Sequence, residues 1–205
     1  MVVKSYSDNV FINCPFDDEY KPIFNAIVFT VYDCGFVARC SLEEDAVGEA
    51  RFTNIIDIIS ECRYAIHDIS RTELDEKKLP RFNMPLELGT FLGARRFGDK
   101  DQQSKKFLIL DKEQYRYQQF ISDLAGYDIR SHNNDTERAS AIVRDWLVVA
   151  SRRKLIPDKR VIWEHYKEFQ RKLLGHCRQR RLQPDNLLFL EYSYAVTDIL
   201  REMEN

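Results

Sequence analysis

The sequence predicts an α/β protein built on a small, doubly wound parallel sheet. Three observations point there. The runs Val10–Asn13, Tyr64–Asp68 and Lys106–Leu110 are short and apolar, and Lys106-Phe-Leu-Ile-Leu110 is apolar almost throughout, as strands covered on both faces tend to be. The segments between them carry apolar residues three and four positions apart, the period of a helix with one buried face. The order strand, helix, strand, helix, strand, helix, strand is what crossover connections in a parallel sheet require.

Taken in order, Val10-Phe-Ile-Asn13 stops at Cys14-Pro15, where proline ends a strand. From Tyr20 to Tyr32 the residues Ile23, Phe24, Ile27, Val28 and Val31 form a helical stripe, and Gly35 stands where a C-cap glycine belongs. Phe36–Cys40 reads as the second strand. Gly48 opens an amphipathic helix with Phe52, Ile55, Ile56, Ile59 and Cys62 on its stripe, followed directly by the strand Tyr64–Asp68. Ile69–Phe82 is polar, lacks a period and reads as a loop. A helix follows from Asn83 to Phe97 with Leu88, Phe91, Leu92 and Ala94 as its core face, and Asp128, in Gly126-Tyr-Asp-Ile-Arg130, reads as part of a short edge strand.

Beyond Asp135 the pattern is helical. Ala141, Ile142, Trp146, Leu147 and Ala150 share a face, Pro157 breaks it, and helices over Ile162–Leu174 and Asn186–Arg201 follow. The expected architecture is therefore a flavodoxin-like sheet of about five strands in residues 1–132, with a C-terminal helical extension in 133–205. The extension either packs on the sheet domain or forms a dimer contact.

The 205 residues are 44% hydrophobic and 31% charged, a globular balance, and the net charge of −2 argues against a dedicated nucleic-acid binder. The cluster Arg178, Arg180 and Arg181 reads as a solvated helix end. Five cysteines in odd number, with no Cys-x-x-Cys, suggest reduced, buried thiols, and the four histidines lack metal-ligand spacing, so no metal is expected. With no apolar leader and no run of membrane-spanning length, the expected location is the cytoplasm. Neither a Gly-x-Gly-x-x-Gly loop nor a Walker pattern is present, which disfavours an ordinary dehydrogenase or ATPase.

Ligands of such sheets bind beyond the carboxyl ends of the strands, where strand order reverses. That rule singles out Asn13 to Phe16, Cys40 to Glu44, Asp68 to Ser70, and Asp111. The most informative segment is Arg81-Phe-Asn-Met-Pro-Leu-Glu-Leu-Gly89. Asn83 suits a helix N-cap and Pro85 the first turn, so Glu87 falls near the helix start. There it either complements the helix dipole and nothing more, or faces the crevice with Leu86 and Leu88 beside it raising its pKa.

Asp68 is either a ligand for ribose hydroxyls or a turn-forming carboxylate. Arg81 is either a phosphate partner or solvated surface, and Phe16 either stacks on a base or belongs to the core. Asn13 is a candidate organiser of the first loop, and Pro15 and Asn83 complete the candidate substrate-binding set.

Three pieces occur together in order: Val10-Phe-Ile-Asn-Cys-Pro-Phe16, Ile55-x-x-Ile-x-x-Cys62-x-Tyr64-x-Ile-x-Asp68, and Asn83-x-Pro85-x-Glu87-Leu-Gly89. In them the chain resembles the superfamily that joins nucleoside 2-deoxyribosyltransferase-like and TIR-like domains, over roughly residues 8 to 111. Its nearest likeness is to bacterial TIR-like proteins, a group that includes antiphage defence components. The chain lacks the transferases' Gly-Thr before the glutamate helix and the Trp-x-x-x-Glu of many TIR domains.

The resemblance implies an NAD⁺ or nucleotide N-glycosidase with Glu87 as its catalytic carboxylate. NAD⁺ would then be a substrate rather than a cofactor, and a homo-oligomer is the expected assembly. Nicotinamide leaves a cationic pyridinium as a neutral molecule, so one carboxylate on the ribose face suffices. Two other classes remain open: a nucleotide sensor that binds without turnover, and an assembly module.

Overall fold

A computed structural model describes residues 5–43, 51–72 and 81–204 of the chain. Its centre is a five-stranded, all-parallel sheet of β1 (Asn9–Asn13), β2 (Val37–Arg39), β3 (Tyr64–Asp68), β4 (Lys106–Asp111) and β5 (Ile129–Ser131). The spatial order is β2-β1-β3-β4-β5. The three runs expected to be interior neighbours are so: Phe11 pairs with Ala65, and Ala65 with Phe107. Every residue of β1 and β3 is buried.

Alternation along the strands separates two cores. Val10, Ile12, Tyr64, Ile66, Leu108 and Leu110 face α1 (Lys21–Asp33) and α5 (Thr136–Ser151). Phe11, Ala65 and Phe107 face α2 (Arg51–Ser60) and α3 (Asn83–Phe97). Helices therefore cover both faces, as the apolar strands require.

A short α4 (Lys100–Gln103) precedes β4, and α6 (Lys159–Arg180) and α7 (Phe189–Glu204) complete the chain. They extend the first core rather than founding another. Phe169 of α6 and Tyr192 of α7 join Phe29 of α1 and Val143 of α5 in one cluster with the sheet. Residues 1–132 and 133–205 thus share a continuous core, in which Phe29 meets Phe169 with ring centroids 5.1 Å apart.

Local signals act as the sequence suggests at several ends. Gly35 adopts φ +77° past α1, and its N–H reaches Tyr32 O while Phe36 N–H reaches Val31 O, the paired bonds of a Schellman motif. Asp135 and Asp158 cap α5 and α6, their side chains accepting from Arg138 N at 2.8 Å and Arg160 N at 2.9 Å.

Other expectations are corrected. α3 begins at Asn83 itself, with Phe82 in the cap position and no side-chain cap, so Glu87 lies in the second turn rather than the first. The inward stripe of α2 is Ile55, Ile58 and Ile59, whereas Phe52 and Ile56 are exposed. Gly48 lies outside the described residues, as does most of the loop expected after β3. All five cysteines are buried and unpaired, and among the described residues no helix is long and apolar enough to cross a membrane.

Candidate functional site

In this strand order the chain passes from β1 outward to β2, then returns across β1 to β3. The reversal at β1 and β3 opens the crevice where such sheets hold ligands. The carboxyl ends of these strands carry the candidate residues, and the structure divides them into committed and uncommitted groups.

Asn13, at the end of β1, is buried and committed. Its Nδ2 donates to Met84 O at 2.9 Å in the first turn of α3 and lies 3.0 Å from His67 Nδ1 on β3. The amide N–H can only donate, so His67 Nδ1 accepts and the ring carries its proton on Nε2. Burial, with Lys105 nearby, lowers the His67 pKa to about 3. Asn13 thereby pins β1, β3 and α3 together, whereas its expected role was to organise the loop after β1. Pro15 is buried beside it, and Phe16, 38% exposed, turns its ring edge-on to Phe24 at 5.3 Å.

Asp68 is equally committed. Its Oδ2 accepts from Tyr20 Oη at 2.7 Å and from His132 Nε2 at 3.0 Å, and its Oδ1 accepts from Ser70 N at 2.8 Å. Burial alone would raise its pKa, but the hydrogen bonds from His132, Ser70 and Tyr20 outweigh that and hold it below the ordinary carboxylate value. With no exposed surface and its oxygens occupied, Asp68 is a structural hub rather than an open ligand group.

Ser70, His132 and Asp68 superficially resemble a hydrolase triad. Here both Ser70 Oγ and Asp68 meet the same nitrogen, Nε2, while Nδ1 accepts from Asn134 N at 3.0 Å. A relay needs the two ring nitrogens to face different partners, and Ser70 is buried. The cluster is therefore not wired for nucleophilic attack. Asp111 at the end of β4 is paired too, with Arg116 Nη2 at 2.6 Å from its Oδ1.

Arg81 is half exposed and lies 3.3 Å from Asp17, which also pairs with Arg71 at 3.2 Å. Its guanidinium thus leans on the loop after β1. Asn83 is exposed at the start of α3.

Glu87 differs from these acids. It is 7% exposed, yet its carboxyl has no hydrogen bond or ion pair among the described residues. Burial raises its pKa from 4.5 to about 7, and only the more distant charge of Arg51, at the start of α2, opposes this. Of the two apolar neighbours expected, only Leu88 is buried. Leu86 is 53% exposed, and the buried residues around position 87 on α3 are Met84, Leu88 and Phe91.

The thiols of Cys14 and Cys40 locate the carboxyl. Burial pushes both well up, and the negative charge of Glu87 adds to the rise in each. Glu87 is therefore within electrostatic reach of the residues that follow β1 and β2, where Arg51 Nη2 also reaches Ser41 Oγ at 3.4 Å. Residues 44–50 and 73–80, which follow β2 and β3 in sequence, lie outside the described residues.

Chemically, this is one buried carboxyl with no hydrogen bond or ion pair among the described residues. With a pKa near 7 it can hold or release a proton at neutral pH, and a cationic group would favour its charged form. Among the described residues no group of three His, Cys, Asp or Glu side chains could hold a metal ion.

The strand-end rule reached Cys14, Cys40 and Asp111 by position. Nothing local in the sequence signalled Tyr20, His132 or Arg116, whose roles depend on partners tens of residues away, except for Arg116 beside Asp111. Comparisons with known protein families, with curated proteins and with solved structures give no match to this chain.

Proposed function

We propose that the chain is a nucleotide N-glycosidase acting on NAD⁺ or a related nucleotide, with Glu87 as its catalytic carboxylate. The observation that carries this reading is that Glu87 is buried near the carboxyl rim with no hydrogen bond or ion pair among the described residues, while Asp68 is held by three donors and Asp111 by Arg116. The resemblance in Asn83-x-Pro85-x-Glu87-Leu-Gly89 supports it.

In the proposed reaction the C1′–N bond breaks and its electron pair stays on the pyridinium nitrogen, so nicotinamide departs neutral. The cationic C1′ is stabilised, or captured, by the Glu87 carboxylate. Water then adds at C1′ and its proton passes to solvent, giving ADP-ribose. The positive substrate itself favours ionisation of Glu87, and no general acid is required. Self-association as a trigger, and a role in bacterial defence, complete the reading.

The test is release of nicotinamide from NAD⁺ by wild type and Glu87→Gln across a protein concentration series. Loss of turnover by several orders of magnitude in the variant supports the reading, because the removed charge stabilises an oxocarbenium-like state. Equal turnover by both proteins removes Glu87 from the mechanism. Because the ionised form is the working one, kcat/KM for wild type should rise with pH through about 7, the value burial gives Glu87; a fall over that range would assign it an acid role.

A second reading is a nucleotide sensor without turnover. The proton that Glu87 retains up to about pH 7 favours it, since a neutral carboxyl can donate a hydrogen bond to a bound ligand. Nucleotide binding by both proteins with turnover by neither, at any concentration, would select the sensor.

A further inference from the structure

A cavity outside the site described above takes its walls from both halves of the chain. It offers about 200 Å³ of space, bounded by Phe16, Phe24 and Asn25 on one side, by Leu42 after β2, and by Leu187 and Phe189 at the start of α7. We propose that this cavity binds the adenine ring of a nucleotide, and that the C-terminal helices thereby form part of the ligand site.

The walls suit a flat aromatic ring. Phe24 is the shared partner of two other rings, with Phe16 edge-on at 5.3 Å and Phe189 tilted by 37° at 6.0 Å. Phe16 and Leu42 are substantially exposed although they border a concavity, so apolar surface is open there for a ligand to cover. Aromatic side chains bind bases through their faces and edges largely without regard to sequence. A site of this size excludes a whole dinucleotide and takes one ring.

The polar groups narrow the choice. The Asn25 side chain has no hydrogen-bond partner among the described residues, whereas its backbone carbonyl accepts from Tyr192 Oη at 3.1 Å. That bond fixes α7 against α1 and leaves the carboxamide free. A carboxamide presents one donor and one acceptor in a plane, which matches the N6–H and N7 edge of adenine. Lys21 at the rim donates to Asp185 O, bracing the turn before α7 and placing a positive charge where phosphates would leave the cavity.

The ends of β1 and β2 link the cavity to the proposed catalytic group. Leu42 stands two residues beyond Cys40, whose thiol feels the Glu87 charge. The ends of β1 and β2 therefore border both, so a nucleotide anchored by its base can extend along the rim toward Glu87. The identity of the ligand rests on the nucleotide reading above, whereas the cavity and its free carboxamide do not.

The experiment is isothermal titration of the full chain carrying Glu87→Gln, which separates binding from chemistry, with adenosine, AMP, cytidine and benzyl alcohol as probes. Saturable adenosine binding that is tighter than cytidine binding is expected. Phe16→Ala should weaken it about five- to 100-fold by removing an aromatic contact. Asn25→Ala should weaken adenosine at least about tenfold and erase its preference over cytidine, because the base edge loses its partner. Both residues are partly or largely exposed, and circular dichroism verifies that the variants fold.

Absence of adenosine binding, binding of benzyl alcohol as tight as adenosine, or indifference to Asn25→Ala would each overturn the assignment. If wild type cleaves NAD⁺ while Phe16→Ala and Asn25→Ala leave its KM unchanged, the cavity fails and the glycosidase reading stands. If adenosine binds through Asn25 but NAD⁺ is never cleaved, the catalytic reading fails and the cavity stands.

Discussion

Replacing Glu87 by Gln should stabilise the fold at alkaline pH, and the structure sets the size and sign of the effect. Burial moves the carboxyl from an ordinary value of 4.5 in the unfolded chain to about 7 in the folded one. Below pH 4.5 it is protonated in both states and contributes no difference. Between those values the unfolded chain releases the proton while the folded chain keeps it, so stability falls as pH rises. Above about pH 7 the loss is complete. A displacement of that size corresponds to at most about 3 kcal/mol.

Gln has the shape of the protonated acid and never ionises. The variant should therefore match wild type near pH 4 and exceed it by up to roughly 3 kcal/mol at pH 8.5, with most of the gap opening between pH 5 and 7. For a chain of this length that is about 6–12 °C in Tm at most. Urea unfolding followed by the fluorescence of Trp146 and Trp163, at pH 5 and 8.5, measures the gap. Comparing the two proteins at each pH cancels every other titrating group. A gap that does not depend on pH, or a variant less stable at pH 8.5, would refute the claim that Glu87 is buried without partners.

Three further outcomes follow from the same contacts. Asp68→Asn should cost about 3–5 kcal/mol, because an amide would turn N–H groups toward donors on Tyr20, His132 or Ser70 inside a closed cluster; a loss under about 1 kcal/mol in urea unfolding would contradict this. Since hydrogen bonds hold the Asp68 pKa low, its contribution is present above pH 3.8 and lost as pH falls through its folded value, which wild-type acid titrations against the variant can read. Gly35→Ala should cost about 1–2 kcal/mol because φ +77° lies in the left-handed region, and an unchanged Tm would show that the turn rearranges. A chain ending at residue 182 lacks Phe189, Tyr192, Val196 and Ile199, all members of the main core, and should lose cooperative unfolding; a sharp transition in that truncation would show that the sheet folds without α7.

The sheet was largely legible because its signals are local. A strand buried on both faces must be apolar over four or five residues, and β1, β3 and β4 say so directly. Gly35 was legible because a left-handed residue at a helix end favours glycine. The facing of α2 was not. Ile55, Ile56, Ile58 and Ile59 contain two overlapping stripes at helical spacing, and only packing against Phe11 and Phe91 turns Ile55, Ile58 and Ile59 inward and leaves Ile56 out. The start of α3 slipped because Asn83 has the right chemistry for a cap, yet the backbone is already helical at Phe82. The earlier start of α6 follows from Asp158, a cap four residues ahead of the buried Ile162.

The site was legible by position but not by state. Spacing places Asp68, Glu87 and Asp111 on one rim and cannot say which is free, because each state depends on what the fold brings near it. His132, 64 residues beyond Asp68, closes one acid. Arg116 closes another within a single turn. Glu87 receives only a distant Arg51. The fold thus supplies donors to Asp68 and Asp111 and, among the described residues, none to Glu87, although a buried acid without a donor weakens the protein at neutral pH. Hydrophobic residues of similar size would fill position 87 without that penalty. A buried acid with no donor among the described residues, placed where the strand order reverses, breaks a local rule, and the proposed glycosidase role would account for it as a group that acts on a ligand.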